Sequence, residues 1–362
     1  MQINDYFGTI EDPRIDRSKL HSLSTIFGLT IIATLCGVKS WEQISFFGKL
    51  REKELSSLLD FSNGVPSHDT IERVYSLIKP EAFLCCFISW TSSLYTQKGL
   101  IAIDGKVARS SYDTADKKAP IYLVNAWASE NKLVLGHYQT LGKGHEIAGI
   151  KELLAILDLK DSIVSIDAIG CQKDIVELIV ENQADYIIAV KDNQEQLGKA
   201  ITSSFAIIKP HDVDQQIEKN SGRVDTRVCS VMTNLKMINQ AEQWVGLKSI
   251  IQIESTRWIA NVEQTQTRYY ISSLAKSAKE FNNLIRSHWT IENSLHWVLD
   301  VNFDEDKSRK RKGYSATNYS LTNKIAINLL NQETKSKLSM IKKKLRANYD
   351  LDYLQNLINF DA

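Results

Sequence analysis

Two short stretches of the 362-residue chain, LIAIDGK at residues 100–106 and SIVSIDAIG at residues 162–170, indicate its fold. In each stretch an apolar run typical of a buried β-strand ends at an aspartate, Asp104 or Asp167, and a small residue follows. Carboxylates at the carboxyl ends of neighbouring strands are well placed to share a divalent cation, because hard cations bind several oxygen ligands. The alternative is that each aspartate only forms a turn, since Asp-Gly is a common turn sequence.

The segments around these stretches predict a mixed α/β fold. A meander of three strand-like runs is followed by alternating helix and strand, an order that predicts a mixed sheet with helices on both faces. In such a sheet we expect the first and fourth strands to be neighbours. Strand-like alternation then returns as an all-β insertion before a last helical period. We therefore predict five regions: an N-terminal helical domain for DNA binding or dimerisation (1–97), the first part of the core (98–208), the β-rich insertion (209–275), a helix completing the core (276–306) and a basic helical C-terminal region (307–362).

The helix that completes the core carries a polar stripe. In RSHWTIENSLHWVLDVNFDED, residues 286–306, the members of the stripe recur every four residues: His288, Glu292, His296 and Asp300. A solvated or salt-bridged helix face is one interpretation, and an acid at the carboxyl edge of the sheet is another. A zinc site is a third, but HxxxExxxH is not the HExxH arrangement of zinc proteases.

Positive charge is concentrated in one part of the chain. The formal net charge is only +1, but residues 307–346 hold twelve basic residues and one acidic residue, a local balance of +11. The remainder holds 32 basic and 42 acidic residues, a balance of −10. This asymmetry suggests a polyanionic partner for the basic segment, and a solvated charge run is the alternative.

The composition excludes several classes of protein. Hydrophobic residues make up 43% of the chain, which argues against a largely disordered protein. Five cysteines without a CxxC pair indicate neither a disulfide framework nor a zinc knuckle, and they fit a reducing compartment. The N-terminus lacks the features of a signal peptide. Leu20 to Val38 contains no charged residue, but its hydroxyl side chains favour a buried helix over a membrane span. We expect a cytoplasmic protein without a membrane partner.

Four strings together carry a resemblance to a known family: IAIDGKVARSS at 101–111, SIDAIGCQKDI at 165–175, DYIIAVKDNQ at 185–194 and HWTIENSLHWVLDVNFDED at 288–306. They resemble the H-repeat-associated transposases, the ISAs-type insertion-sequence family of DDE recombinases. GVPSHDTIERVYSLI, residues 64–78, is similar to the N-terminal helical region of that family. The resemblance therefore runs through nearly the whole chain, and it implies a ribonuclease H-like fold.

The family resemblance also implies a site and a reaction. It makes Asp104, Asp167 and Glu292 the catalytic residues and metal ligands, which would hold two Mg²⁺ ions, with Mn²⁺ as a substitute. The reaction would be metal-dependent cleavage and strand transfer of DNA. The implied partners are double-stranded DNA, as transposon ends and as target, and a second copy of the chain in a synaptic homodimer.

This chain departs from one pattern of the neighbouring families that have a β insertion. Those families place Tyr, Arg and Lys around the glutamate, whereas this chain has Ile285, His288 and Leu299 at these positions. Contacts of those three residue types to DNA phosphates therefore cannot be carried over. We predict DNA contacts from the histidine and from the start of the basic segment instead: His288, Lys307, Arg309, Lys310, Arg311 and Lys312.

Two other functions compete with an active transposase at the level of sequence. A ribonuclease H-like nuclease would share the metal site without strand transfer, and an assay that joins pre-cut ends separates the two. A non-mobile, DNA-binding relic of a transposable element is the other alternative. Inverted repeats flanking the coding frame would argue against it.

Overall fold

The computed structural model describes residues 6–112, 119–140, 142, 144–220, 223–259 and 262–358. Helix α1, Leu23–Leu35, lies within the uncharged stretch and is buried along most of its length, as predicted. The Ser22 hydroxyl caps its N-terminus by accepting a hydrogen bond from the Thr25 N–H. Among the helices of the described residues, none combines the length and the apolar character needed to cross a membrane.

A mixed sheet is the centre of the fold. The described residues contribute nine strands to it: β1 Leu100–Ala108, β2 Ile121–Ala128, β3 Leu133–Thr140, β4 Ile163–Ile166, β5 Asp185–Val190, β6 Asp212–Asn220, β7 Arg223–Met232, β8 Ser249–Ile259 and β9 Val262–Ser272. Their order is β3-β2-β1-β4-β5-β9-β8-β7-β6. Strands β1, β4 and β5 are parallel, and the other neighbours are antiparallel. The predicted ribonuclease H-like fold class is confirmed, and so is the pairing of the first and fourth strands.

Strand β1 is longer than its apolar run predicts. The sequence pattern indicates a strand that ends before Asp104, but pairing with β2 continues to Ala108. Strand β4 ends at Ile166, which pairs with Ile103. Asp104 therefore lies inside β1, at the level where the neighbouring strand ends, and not at the end of its own strand. A Cβ atom on Gly105 would lie 1.9 Å from the Tyr122 hydroxyl of β2, so a larger residue here would have to displace the Tyr122 ring.

Helices cover both faces of the sheet, as predicted. Twelve helices follow α1 in the described residues: α2 Trp41–Leu50, α3 Glu52–Leu55, α4 His68–Leu77, α5 Pro80–Leu94, α6 Glu146–Ile156, α7 Lys173–Glu181, α8 Glu195–Ile207, α9 Ala278–His288, α10 Trp297–Asn302, α11 Ser315–Gln332, α12 Met340–Tyr349 and α13 Leu351–Ile358. Successive residues of β1 point to opposite layers. Ile101 and Ile103 pack with α6 and α7, whereas Ala102 packs with the N-terminal and C-terminal helices.

The predicted all-β insertion is present, and it extends the core sheet. Strand β9 pairs with β5, and β8, β7 and β6 follow outward in antiparallel order. Helix α9 packs across this extension, with Phe281 and Ile285 against Ile251 and Ile253 of β8. The chain thereby returns over the sheet toward β1.

The C-terminal helices belong to the same helical layer as the N-terminal ones. Helix α11 is buried along most of its length and contacts α1, α4, α5 and β3. Leu321 and Leu329 of α11 share one hydrophobic core with Ile26 and Phe83. The sequence predicts a separate basic region from residue 307 onward. The structure differs because α11 is surrounded on all sides, and its many polar side chains, such as Asn318, Thr322 and Lys324, are buried with it.

Candidate metal centre

Asp104 lies on β1, an interior strand of the sheet, with limited access to solvent. Its side chain is 21% exposed, and Asn125 stands opposite it on β2. One carboxylate oxygen accepts a hydrogen bond from the Gly105 N–H at 2.8 Å. Burial raises the pKa of Asp104 to about 7, while nearby His296 lowers it and Glu292 adds to the rise. The site therefore concentrates negative charge where solvent cannot fully screen it.

Glu292 begins a π-helical segment, Glu292–His296, which lies between α9 and α10. Its carbonyl accepts a hydrogen bond from the N–H of Trp297, five residues later. The sequence predicts one continuous helical period from Ala278 to about Leu299, and that period does not reveal the wider turn. Such π-helical turns are rare and recur at functional sites. Here the wider turn leaves Glu292 and His296 on the side that faces Asp104.

His296 joins the two acids. Its Nδ1 lies 3.6 Å from an Asp104 carboxylate oxygen and 3.5 Å from a Glu292 carboxylate oxygen. Its Nε2 lies 3.4 Å from the Asn125 amide nitrogen, and its side chain is buried. A hydrogen bond from His296 lowers the pKa of Glu292. Among the described residues, one ligand atom each of Asp104, Glu292 and His296 lie within 4.8 Å of one another.

Asp167 lies beside this group at the end of β4. Its carboxylate caps the 3₁₀ turn that follows by accepting a hydrogen bond from the Ile169 N–H at 3.1 Å. Burial raises the pKa of Asp167, an effect that this hydrogen bond and Lys191 oppose. Asp167 also raises the pKa of Asp104 through charge repulsion. Of the predicted triad, Asp104 and Glu292 thus form a close pair. The third acid, Asp167, follows the adjacent strand and does not belong to the group of ligand atoms that lie within 4.8 Å of one another.

The chemistry of these donors fits a divalent cation. Two carboxylates and one imidazole converge, and a further carboxylate is near. Carboxylate oxygens favour hard ions such as Mg²⁺ and Mn²⁺. Because oxygen donors outnumber the single nitrogen, this set of ligands favours those ions over zinc. Burial raises the pKa of Asp104, with smaller contributions from Glu292 and Asp167, and a bound cation would favour its charged form.

The residues that replace the Tyr, Arg and Lys pattern have different surroundings here. Ile285 and Leu299 are buried in hydrophobic cores. His288 Nδ1 lies 2.9 Å from the Ser165 hydroxyl of β4, and burial lowers the pKa of His288 to about 4. A neutral imidazole adds no positive charge, so the histidine can contact a phosphate only as a hydrogen-bond donor.

The start of the basic segment divides into buried and exposed cations. Lys310 is 8% exposed; its ammonium lies 3.7 Å from the Tyr319 ring centroid and donates to the Lys39 carbonyl. Burial lowers the pKa of Lys310 to about 7. The prediction that Lys310 contacts DNA is therefore wrong for this structure, because its charged end lies in the helical core. The other predicted positions of this segment are accessible to solvent: Lys307, Arg309 and Lys312 are exposed, and Arg311 is half-buried.

Two residues near the centre were not predicted as site residues. His296 belongs to the four-residue stripe, where the sequence pattern offers it only as a ligand of the disfavoured zinc site. Lys191 follows β5 and lines a small cavity with Asp167 and His288. Strand β5 is parallel to β4 and ends at the same edge, so the argument used for Asp104 and Asp167 could also have found Lys191.

Comparisons with known proteins identify the family of the chain. A family model described as "Transposase DDE domain" matches residues 95–329, and the model of the segment associated with that domain matches residues 4–91. The Escherichia coli (strain K12) protein YbfL is 39% identical to this chain over 370 residues, covering 99% of this chain and 97% of YbfL. The "H repeat-associated putative transposase YhhI" of the same strain is 38% identical with the same coverage. A solved structure of piggyBac transposase in a synaptic complex with hairpin DNA aligns with 99% of this chain and 78% of its own, at a TM-score of 0.43 and 11% identity, a similarity too weak to bear on the fold.

The family match covers the elements that carry the three acids. The matched DDE domain spans β1, β4 and the π-helical segment, which carry Asp104, Asp167 and Glu292. Both relatives align over almost their full length. The chain belongs to the DDE transposase family, whose members cleave and transpose DNA with the help of divalent metal ions.

Proposed function

We propose that Asp104, Asp167 and Glu292 hold two Mg²⁺ ions, with Mn²⁺ as a substitute, for cleavage and strand transfer at the ends of an insertion-sequence element. The observation that carries this proposal is the convergence of Asp104 and Glu292 from a strand and a distant helix, with Asp167 on the adjacent strand. Two bound ions supply activation of a water or DNA 3′-hydroxyl and stabilisation of the leaving oxygen.

Asp104 is the proposed shared ligand, because it lies between the other two acids. The Gly105 N–H and His296 orient its carboxylate, and His296 holds Glu292 beside it. In this arrangement His296 is a further donor on the Glu292 side of the centre. Asp167 is fixed separately by the turn that it caps.

A cluster of ion pairs connects β1, which carries Asp104, to the chain that follows Glu292. Lys106, two residues after Asp104, lies 2.7 Å from a carboxylate oxygen of Asp300 and 3.4 Å from one of Glu305. The Lys106 side chain is only 7% exposed, so these pairs are little screened by solvent. They connect β1 to the chain just after the π-helical segment, and we infer that they hold Asp104 opposite Glu292.

We propose that duplex DNA reaches the centre past the exposed start of the basic segment. Arg311 donates to the Ser110 carbonyl, and Asp306 pairs with Arg109, so this segment lies beside the end of β1. Phosphate contacts there would be sequence-independent and dependent on salt. The proposed contacts are Lys307, Arg309, Arg311 and Lys312, with His288 as a neutral donor.

Two copies of the chain are proposed to act together. Transposition must bring the two ends of one element together, and a homodimer supplies one centre for each end. The proposed compartment is the bacterial cytoplasm, where chromosomal DNA is accessible. Sedimentation of the protein with and without end-containing duplex tests the oligomeric state.

The proposed centre is tested by removing its carboxylates one at a time. We expect Asp104→Asn, Asp167→Asn and Glu292→Gln each to lower Mg²⁺-dependent cleavage at least about 10³-fold, because each removes a charge from a metal ligand. Glu177→Gln, at an exposed position of α7, is the matched control and keeps full activity. Cleavage is measured on a duplex that contains an element end, and joining is measured with pre-cut ends.

Two further readouts, duplex binding and thermal unfolding, decide how the result is interpreted. The variants should still unfold cooperatively and still bind the duplex, which separates loss of chemistry from loss of fold. Full cleavage by Asp104→Asn would overturn the proposed centre. Cleavage without joining by the unchanged protein would make it a nuclease instead of a transposase.

A further inference from the structure

The extended part of the sheet carries a groove lined by arginines. Four guanidinium groups from three strands and one helix meet there: Arg227 of β7, Arg257 of β8, Arg268 of β9 and Arg286 of α9. We call this feature, with a volume of about 530 Å³ in its outer part, the arginine groove. The four residues are up to 59 positions apart in sequence, so only the pairing of the strands and the packing of α9 bring them together.

The arginine groove leads to the proposed metal centre. Its inner part is lined by Arg268, Tyr270 and Trp289, and the same three residues line a small cavity that also contains Asp167. The Arg268 guanidinium lies 4.7 Å from the Trp289 ring centroid, and Trp289 is 42% exposed. A continuous surface therefore connects the outer strands with Asp167.

The charge of the arginine groove is positive. Against four arginines it contains two acids, each paired with an arginine: Glu218 with Arg286, and Asp225 with Arg257 at 3.1 Å. The side chains of Arg257 and Arg286 are nevertheless about half exposed, at 52% and 49%. An arginine held on one side by a carboxylate is already ordered and still presents its other N–H groups.

The remaining lining suits a phosphate backbone. Hydroxyl and amide side chains from β8 and β9, such as Ser255, Thr256, Gln264 and Gln266, stand between the arginines. Such groups are common partners of phosphate and sugar oxygens, and guanidinium groups bind phosphate with two parallel hydrogen bonds. Polar and charged side chains line the outer part of the groove, and the apolar and aromatic ones, Ile253, Tyr270, Ile285 and Trp289, line its inner part.

We propose that the arginine groove binds the phosphate backbone of duplex DNA whose cleaved bond lies at Asp104 and Asp167. This inference rests on the proposed function, because it assigns a path to the DNA that the metal centre cuts. It gives the β-rich insertion a role of its own, which is to hold the duplex on the β5 side of the centre. The exposed residues of the basic segment lie on the other side, beside the end of β1.

The test compares two variants that remove equal charge from opposite layers of the protein. Arg257→Gln with Arg268→Gln removes two cations from the arginine groove. Lys151→Gln with Lys199→Gln removes two ion-paired cations from α6 and α8, on the opposite layer. Binding to a labelled duplex is measured by fluorescence anisotropy from about 50 to 200 mM salt, without catalytic metal. Because binding is measured and not cleavage, a result against DNA binding by the groove can be told apart from a result against the proposed metal centre.

We expect the groove variant to lower the slope of log affinity against log salt by about 1.8, since each neutralised phosphate contributes about 0.9. The control variant should leave the slope unchanged. Unchanged slopes in both variants, or equal losses in both, would overturn the inference. Arg257→Lys with Arg268→Lys keeps the charges and should keep most of the slope. Loss of the slope in this conservative variant would show that the arginines act on the fold and would also overturn the inference.

Discussion

The molecule carries positive charge in two contrasting regions, the basic segment at 307–346 and the arginine groove. The basic segment is conspicuous in sequence, yet four of its twelve cations are buried: Lys310, Lys324, Lys343 and Lys344. The arginine groove belongs to the part of the chain with an acidic balance, and strand pairing concentrates its cations on one surface. Charge density along a sequence therefore predicts surface charge poorly when the segment contains core helices.

The buried lysines have structural partners that explain their position. Lys343 donates to the Leu330 carbonyl near the end of α11, and Lys344 donates to the Asn302 carbonyl at the end of α10. Ammonium groups stabilise helix C-termini, because they neutralise carbonyls that have no partner within the helix. The long aliphatic stems pack in the core while the charged ends reach these carbonyls.

Stability should show the largest difference between the buried and the exposed cations of the basic segment. Lys310→Ala should lower the free energy of unfolding by about 2–4 kcal/mol, because it removes a buried side chain and its contacts with the Trp41 and Tyr319 rings. Arg309→Ala, at the exposed neighbouring position, should change it by less than about 0.5 kcal/mol. Urea denaturation measures both. Equal stabilities would mean that Lys310 is not part of the core.

The second effect is on DNA binding, to which we expect the exposed cations to contribute more than the buried ones. Arg309→Gln with Lys312→Gln should lower the salt slope of duplex binding by about 1.8 while leaving stability unchanged. Combined with Arg257→Gln and Arg268→Gln, the loss should approach about 3.6, because both regions would contact the same duplex. Fluorescence anisotropy over a salt series measures each slope. A combined loss no larger than the loss of one pair would show that the two regions do not bind one duplex together.

The sequence predicts the fold and two of its acids for a simple physical reason. Buried parallel strands are continuous apolar runs, so the ends of such runs locate residues at one edge of the sheet. That rule located Asp167 at the end of β4 and brought Asp104 beside it, although β1 proved longer than its apolar run. The stripe of period four located Glu292 in the same way. Their roles as metal ligands stay a prediction that the carboxylate variants test.

Other features depend on contacts that no local pattern encodes. A period of four residues does not distinguish the π-helical turn at Glu292 from an α-helix. The arginine groove requires the register of three strands and the position of α9. The burial of Lys310 depends on Trp41, which is far away in sequence. The groove and the burial of Lys310 are long-range consequences of the fold.

The smallest effect is the dependence of stability on pH caused by a buried lysine. Lys324 is fully buried, with its ammonium 2.8 Å from His137 Nδ1, and burial lowers the pKa of Lys324 to about 8. In the unfolded chain a lysine has a pKa of about 10.4, so between these values the unfolded state binds more protons. The contribution of Lys324 to stability therefore rises with pH in this window, by roughly 1 kcal/mol between about pH 7.5 and 9. Lys324→Met should lose this rise, whereas Lys335→Met, at an exposed position of the basic segment, should keep it. Urea denaturation across this range measures the difference, and equal slopes in the two variants would mean that Lys324 keeps its proton in the core.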